Sequence, residues 1–210
     1  MTVQIAGQEV AEPLQDWVAY ARYNHRALEL YDFPGSGDPH VLTSDEVWRS
    51  RAIHSRVTYA ERQELPGLWL AANGADISPD ARLQDADPFE RGGLYDQAQA
   101  VASQFVARRG VGYTKAYKVL HIKRPHLFPV LDARLRRLYA AAERRYSREN
   151  RDRLLDDYSY WGVIRRDVVD NEMALRDYRE RFAAGDEPLR RMASLSDVRL
   201  LDIVSWRLAR

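Results

Sequence analysis

Apolar residues recur at three- and four-residue intervals along most of the 210-residue chain, and no stretch of any length alternates with the two-residue period of a half-buried strand. Leu14, Trp17, Val18, Ala21, Ala27, Leu28 and Tyr31 place a helix over 11–32, which the Pro/Gly cluster DFPGSGDPH ends. Ser44 stands ahead of DEVWRSRAIHSRV, whose first turn is acidic, and predicts the next helix start. Thr58 and Glu61 have the spacing of a capping box before an apolar stretch that reaches Leu70, with Pro66-Gly67 bending or interrupting it. NGADISPDARLQDADPFERGG reads as a turn-rich, acidic surface connection. Helix is expected again from Leu94 to Arg109 and over 113–122, with Gly110-Val111-Gly112 breaking the two apart. PHLFP forms a constrained loop, and Asp132 takes the N-cap position of a helix opening ARLRRLYAAAERR. Further helices are expected near 150–160, 165–183 and 197–208. The last carries the apolar series Leu195, Val198, Leu200, Leu201, Val204 and Trp206. The fold class is therefore all-α, with one helical domain over 1–210 and its C-terminal helices in 150–210.

Composition narrows the function classes. With 45% hydrophobic residues, five Trp and twelve Tyr, the chain can bury a core and is not disordered. No run of eighteen apolar residues suits a bilayer, and the acids in MTVQIAGQEVAEPLQDW do not suit a signal peptide, so the expected location is cytoplasmic, with no membrane partner. The absence of cysteine removes disulfides, thiolate nucleophiles, Cys-ligated zinc and iron–sulfur clusters. His25, His40, His54, His121 and His126 form no metal-binding pair, so no metal is expected.

Charge changes the picture more than its total suggests. The net charge is +1, yet Arg108–Arg137 holds nine bases against the single acid Asp132, leaving the rest of the chain acidic. A basic segment on an acidic protein is what a phosphate-binding face looks like, and equally what a solvated helix face looks like. The Gly110-Val111-Gly112 break lies inside it. Two helices joined by such a turn form a tight hairpin whose outward amides suit a phosphate, with a monovalent cation as the only cofactor such a turn would take. Gly110, Val111, Gly112, Thr114, Lys115 and Lys118 are the candidate phosphate-binding residues, and their partner would be duplex DNA held without regard to sequence.

GVGYTKAYKVL is similar to the hairpin signature of the helix-hairpin-helix superfamily of base-excision DNA glycosylases, with Gly110, Gly112, Ala116, Val119 and Leu120 at matching positions. HLFPVLDARLRRLY resembles that superfamily's next element, a hydrophobic approach to an aspartate that begins a helix; the likeness covers about 94–140, within a hairpin and aspartate segment of about 94–146. It is nearest to the adenine-mismatch branch. The resemblance implies a DNA-glycosylase-like fold with a helix-hairpin-helix element, with Asp132 as the catalytic carboxylate. Glu46 stands where that branch has its glutamate acid. A carboxylate suits the chemistry, because breaking an N-glycosidic bond develops positive charge on the sugar that a fixed anion stabilises. The target base would first be rotated out of the stack. Thr114 occupies the position of the lysine in the lyase-type members, so the implied activity is monofunctional hydrolysis of a damaged or mismatched base. Arg108-Arg109 replace the usual Leu-Pro, and the superfamily's cysteine cluster and upstream glutamine-rich segment are missing. The whole chain also resembles an uncharacterised bacterial family containing the same hairpin.

Plainer readings stand beside these. Asp132 is an excellent N-cap whether or not it is catalytic. The scaffold also serves a non-catalytic DNA-binding module, and a helical interaction or structural protein would use the same hairpin only for packing.

Overall fold

The computed structural model describes residues 1–154 and 159–209, and most of them are helical. The chain divides into two compact units, Met1–His25 with Ala133–Arg210, and Arg26–Asp132. The sequence reads as one domain because the second unit is an insertion into the first. Its ends, at NHRA and LDAR, carry no linker composition.

The discontinuous unit opens with an element the periodicity does not predict, a hairpin of β1 (Val3–Ile5) and β2 (Gln8–Val10), antiparallel with Ile5 opposite Gln8. Three-residue strands are too short to display alternation. Ala6 and Gly7 make the two-residue turn with φ of 54° and 78°, the doubly positive geometry that matches strand twist. Helices α1 (Pro13–Tyr23), α7 (Ala133–Glu149), α8 (Ser159–Asp170), α9 (Glu172–Ala183), α10 (Glu187–Met192) and α11 (Asp197–Leu208) complete this unit. The expected 165–183 helix is two, divided at Asn171, whose side-chain amide donates to the Gln4 and Asp167 carbonyls instead of leaving the turn to the helix ladder. The expected 150–160 helix is not seen at 150–153, which form turns, and its 155–158 portion lies outside the described residues. Trp17 is wholly buried, edge-on to Tyr178 and Phe182 at 4.8 and 5.3 Å, and its indole donates to the Leu200 carbonyl at 2.9 Å. Every residue of α11 from Asp197 to Ser205 is buried, while Trp206 is only half-buried near the helix end.

Asp167 ties the hairpin to α8. Its Oδ2 accepts the Ala6 amide at 2.8 Å in a buried position. Burial pushes its carboxyl up to about 6, although the Ala6 amide and the Tyr139 hydroxyl pull the other way.

The first predicted helix breaks after Tyr23, just before the inserted unit begins. It resumes as α2 (His25–Ala27), which straddles the unit boundary and runs on into a π-turn over Leu28–Asp32. Next comes α3 (Ser44–Arg49), continued as a 3-10 turn over Ser50–Ile53. Its N-cap is Thr43 rather than Ser44, because Glu46 reaches back to the Thr43 amide and closes a full capping box. Helix α4 (Tyr59–Ala71) has the Thr58–Glu61 box expected of it and runs through Pro66 without a break. The 73–93 connection is not a pure surface segment, since Ile77, Ala81, Leu83 and Ala86 are buried. Helices α5 (Leu94–Ala107) and α6 (Gly112–Lys123) follow, and α6 is this unit's central element, buried at every position from Ala116 to Lys123. Among the described residues no helix is long and apolar enough to cross a membrane.

Candidate nucleic-acid interface

Helix α5 stops because Arg108 leaves helical geometry, with its amide on the Phe105 carbonyl, and a tight turn brings Val111 N–H back to the Arg108 carbonyl at 3.0 Å. Gly110 and Gly112 hold φ of +88° and +59°, a region L side chains rarely enter. Both glycines are exposed, whereas Val111 between them is 4% exposed and anchors the turn. A side chain on Gly112 would meet nothing within 4 Å, so open space lies over the start of α6. The first turn of α6 carries no acid and has no side-chain cap, and the leading N–H groups of any α-helix lack intrahelical acceptors. These features leave partial positive charge at the start of α6, with the Glu61 carboxylate close to the turn at Gly110.

The two lysines expected at this turn are placed otherwise. Lys115 is turned onto Glu61, with Nζ 2.7 and 2.9 Å from its carboxylate oxygens and 2.8 Å from the Gly110 carbonyl. It braces the turn from behind. Burial alone would raise the Glu61 carboxyl, but the Lys115 ammonium and the Thr58 amide outweigh that and hold it below the ordinary carboxylate range. Lys118 corrects the expectation of a surface phosphate ligand. It is 6% exposed and its Nζ donates to the Ile53 carbonyl at 2.7 Å, because its helical position faces the 3-10 turn instead of solvent. Thr114 is half-buried in the first turn of α6.

Glu46 does not stand free as an acid. Its Oε2 accepts from the Thr43 amide and hydroxyl, and its Oε1 pairs at 2.7 Å with Lys123, whose side chain is fully buried. Lys123 Nζ also donates to the Ser36 and Asp38 carbonyls, so the pair closes the 33–40 loop over α3. Asp132 is half-buried at the last position of its unit, immediately before α7.

Four of the nine bases in the window, Lys115, Lys118, Lys123 and Arg124, thus turn inward. Arg124 is wholly buried and donates to the carbonyls of Ile77, Pro39 and Lys123, with its guanidinium 5.1 Å from the Trp69 ring centre. Burial lowers its pKa. Arg108 pairs with Glu64 at 2.5 Å at the surface. Arg109, Arg134, Arg136 and Arg137 are exposed. The residue that sequence reasoning missed is Glu61 as counterion of the turn. The capping pattern identifies it as a cap, but its pairing with a lysine 54 positions away has no local signal. Among the described residues no group of His, Asp and Glu is arranged to hold a metal ion.

The chain belongs to DUF6308, a family of unknown function, which matches residues 61–209 and so takes in α5, the turn, α6 and Asp132. No curated protein and no solved structure matches it.

Proposed function

We propose that this DUF6308 protein binds duplex DNA by seating a backbone phosphate on the Gly110–Gly112 turn. In this reading Asp132 is its candidate carboxylate for hydrolysing the N-glycosidic bond of a damaged or mismatched base. The carrying observation is the exposed pair of left-handed glycines over an α6 first turn that has no acid and open space at Gly112. Backbone amides at such a turn bind phosphate by hydrogen bonds and the helix dipole, without a lysine. That removes the need for Lys115 and Lys118 at the surface and leaves Lys115 to brace the turn and Lys118 to hold the Ile53 carbonyl. Contacts of this kind position a duplex and do not read its sequence. Glu46, engaged by Thr43 and Lys123, is left out of the chemistry, so Asp132 alone would face the developing sugar cation or orient water toward it.

The test is binding of wild type and Gly112→Asp to a duplex with an abasic-site analogue and to an undamaged control, over a salt series. Salt-sensitive binding that the aspartate abolishes supports the reading. No binding by wild type at low salt overturns it. Base release from a lesion panel, abolished in Asp132→Asn, tests the second half.

One observation favours a second reading, that of a helical interaction protein. Four of the nine bases in the window, Lys115, Lys118, Lys123 and Arg124, serve packing and ion pairs. That reading predicts no DNA affinity at any salt concentration.

A further inference from the structure

The 3-10 turn after α3 ends at His54, which holds φ +61° and ψ 25° as a left-handed C-cap, with its amide on the Arg51 carbonyl at 3.1 Å. Glycine or asparagine is the usual residue there, so an imidazole is kept at a position where a smaller residue would be less strained. Beyond it the chain runs through Ser55, Arg56 and Val57 into the α4 cap at Thr58. This bend encloses an open concavity of about 410 Å³, lined by Arg51, His54, Ser55, Arg56, Val57 and Thr58, with no acid among them.

Three of those side chains are cationic or can become so, and all three are exposed. Arg51 is fixed in place. Its guanidinium lies 4.4 Å from the Trp48 ring centre and its Nη1 donates to the Val57 carbonyl at 2.7 Å, leaving other N–H groups of the planar fork available. Arg56 makes no ion pair among the described residues. Ser55 is only 4% exposed, yet its hydroxyl has no hydrogen-bond partner, which is uncommon for a buried polar group in a folded protein. Glu61, on the adjoining helix, has its carboxylate engaged by Thr58 and Lys115 and does not neutralise the cluster.

The geometry points to a phosphate-binding site in this concavity, formed by Arg51, His54 and Arg56. Its ligand is a second phosphate of the nucleic acid seated on the Gly110–Gly112 turn, and in that part the inference rests on the proposed function. The link is structural. Thr58 N–H donates to Glu61, Glu61 pairs with Lys115, and Lys115 donates to the Gly110 carbonyl, so one chain of hydrogen bonds fixes the bend and the turn. Lys118 holds the same bend from inside through Ile53. A guanidinium fork matches phosphate geometry, and Arg51 and Arg56 bring two such forks to a concavity with no acid in its lining.

His54→Gly is the informative variant, because glycine relieves the left-handed backbone and leaves the fold intact while removing the imidazole. Inorganic phosphate is titrated into wild type, His54→Gly and Arg56→Ala at low ionic strength, with the side-chain NMR signals of residues 51–56 followed. The same proteins are then tested with duplex over a salt series. The expected results are saturable shifts confined to this bend, weaker in each variant, and a duplex salt slope shallower by about one for each phosphate the variant no longer neutralises. Absence of any phosphate response at His54 and Arg56 overturns the site, as does a duplex salt slope unchanged in both variants. If wild type responds to phosphate but binds no duplex, the turn reading fails and the site stands as one for free phosphate or a nucleotide, which titration with a mononucleotide then confirms.

Discussion

Within the unit spanning 26–132, Lys118, Lys123 and Arg124 are buried, and their nitrogens end on carbonyls or on Glu46. In the other unit, Arg136, Arg137, Arg144, Arg145 and Arg148 of α7 stay at the surface, and the interior is filled by Trp17, Tyr178 and Phe182. Its buried Arg199 pairs with Asp202 of the same helix and donates to the Tyr20 hydroxyl. The first arrangement uses cations as struts that satisfy the carbonyls of irregular loops, which helices alone cannot reach. The second relies more on helices packed around aromatic rings, and its cationic strut at Ala193 and Leu195 is the half-buried Arg179. A cluster of bases in a sequence is therefore not a measure of surface charge. What separates the two cases is the helical phase of each base relative to the apolar residues around it.

The largest expected effect separates the two uses of charge. Lys123→Met strands Glu46 in a buried position and should cost about 3–5 kcal/mol in urea unfolding. The double change with Glu46→Gln should recover part of it. If the single variant is as stable as wild type, the strut description is wrong. The next concerns Asp167, a carboxyl that the aromatic unit buries. Its folded-state pKa is raised from 3.8 to about 6, so the native state holds its proton more tightly than the unfolded chain. Its stabilising contribution is present below about pH 4 and is lost as pH rises through about 6, a change of about 3 kcal/mol. Asp167→Asn keeps an acceptor for the Ala6 amide and removes the charge. The variant should gain stability relative to wild type between pH 4 and 7, and a constant difference across that range would contradict the assignment.

Smaller effects sharpen the same contrast. Thr58→Ala removes the cap that orients Glu61 and should cost about 1 kcal/mol in urea unfolding. The Gly110 turn should also open more readily in this variant, read as faster amide exchange at Val111 and Gly112. Arg137→Ala and Arg144→Ala should each change unfolding free energy by less than about 0.5 kcal/mol, as exposed positions do. A cost near that of Lys123 would erase the distinction between the units.

Much of the helical layout is legible in the chain because its signals are local. The Thr58–Glu61 box, the Gly110–Gly112 break and the apolar face of α11 each declare themselves within a few residues. The N-terminal hairpin does not, because Val3 and Ile5 are too few to establish a period, and what holds them is Asp167 and Asn171, over 160 positions away. The same rule governs the site. Glycines with positive φ can be read from composition and position, whereas the inward turn of Lys118 depends on the Ile53 carbonyl of another element, and Glu46 is fixed by a lysine 77 positions later. The 51–58 bend reads in sequence as a continuing helix, and only the left-handed His54 shows that it ends.

The most direct measurement is amide hydrogen exchange of the free protein and of the protein with duplex, read at Gly110–Thr114 and compared with the exposed face of α7. Slowed exchange at Gly112 and the first turn of α6, dependent on salt and absent in Gly112→Asp, is the result expected if the turn seats a phosphate. Unchanged exchange there, with duplex present at low salt, would contradict the central claim.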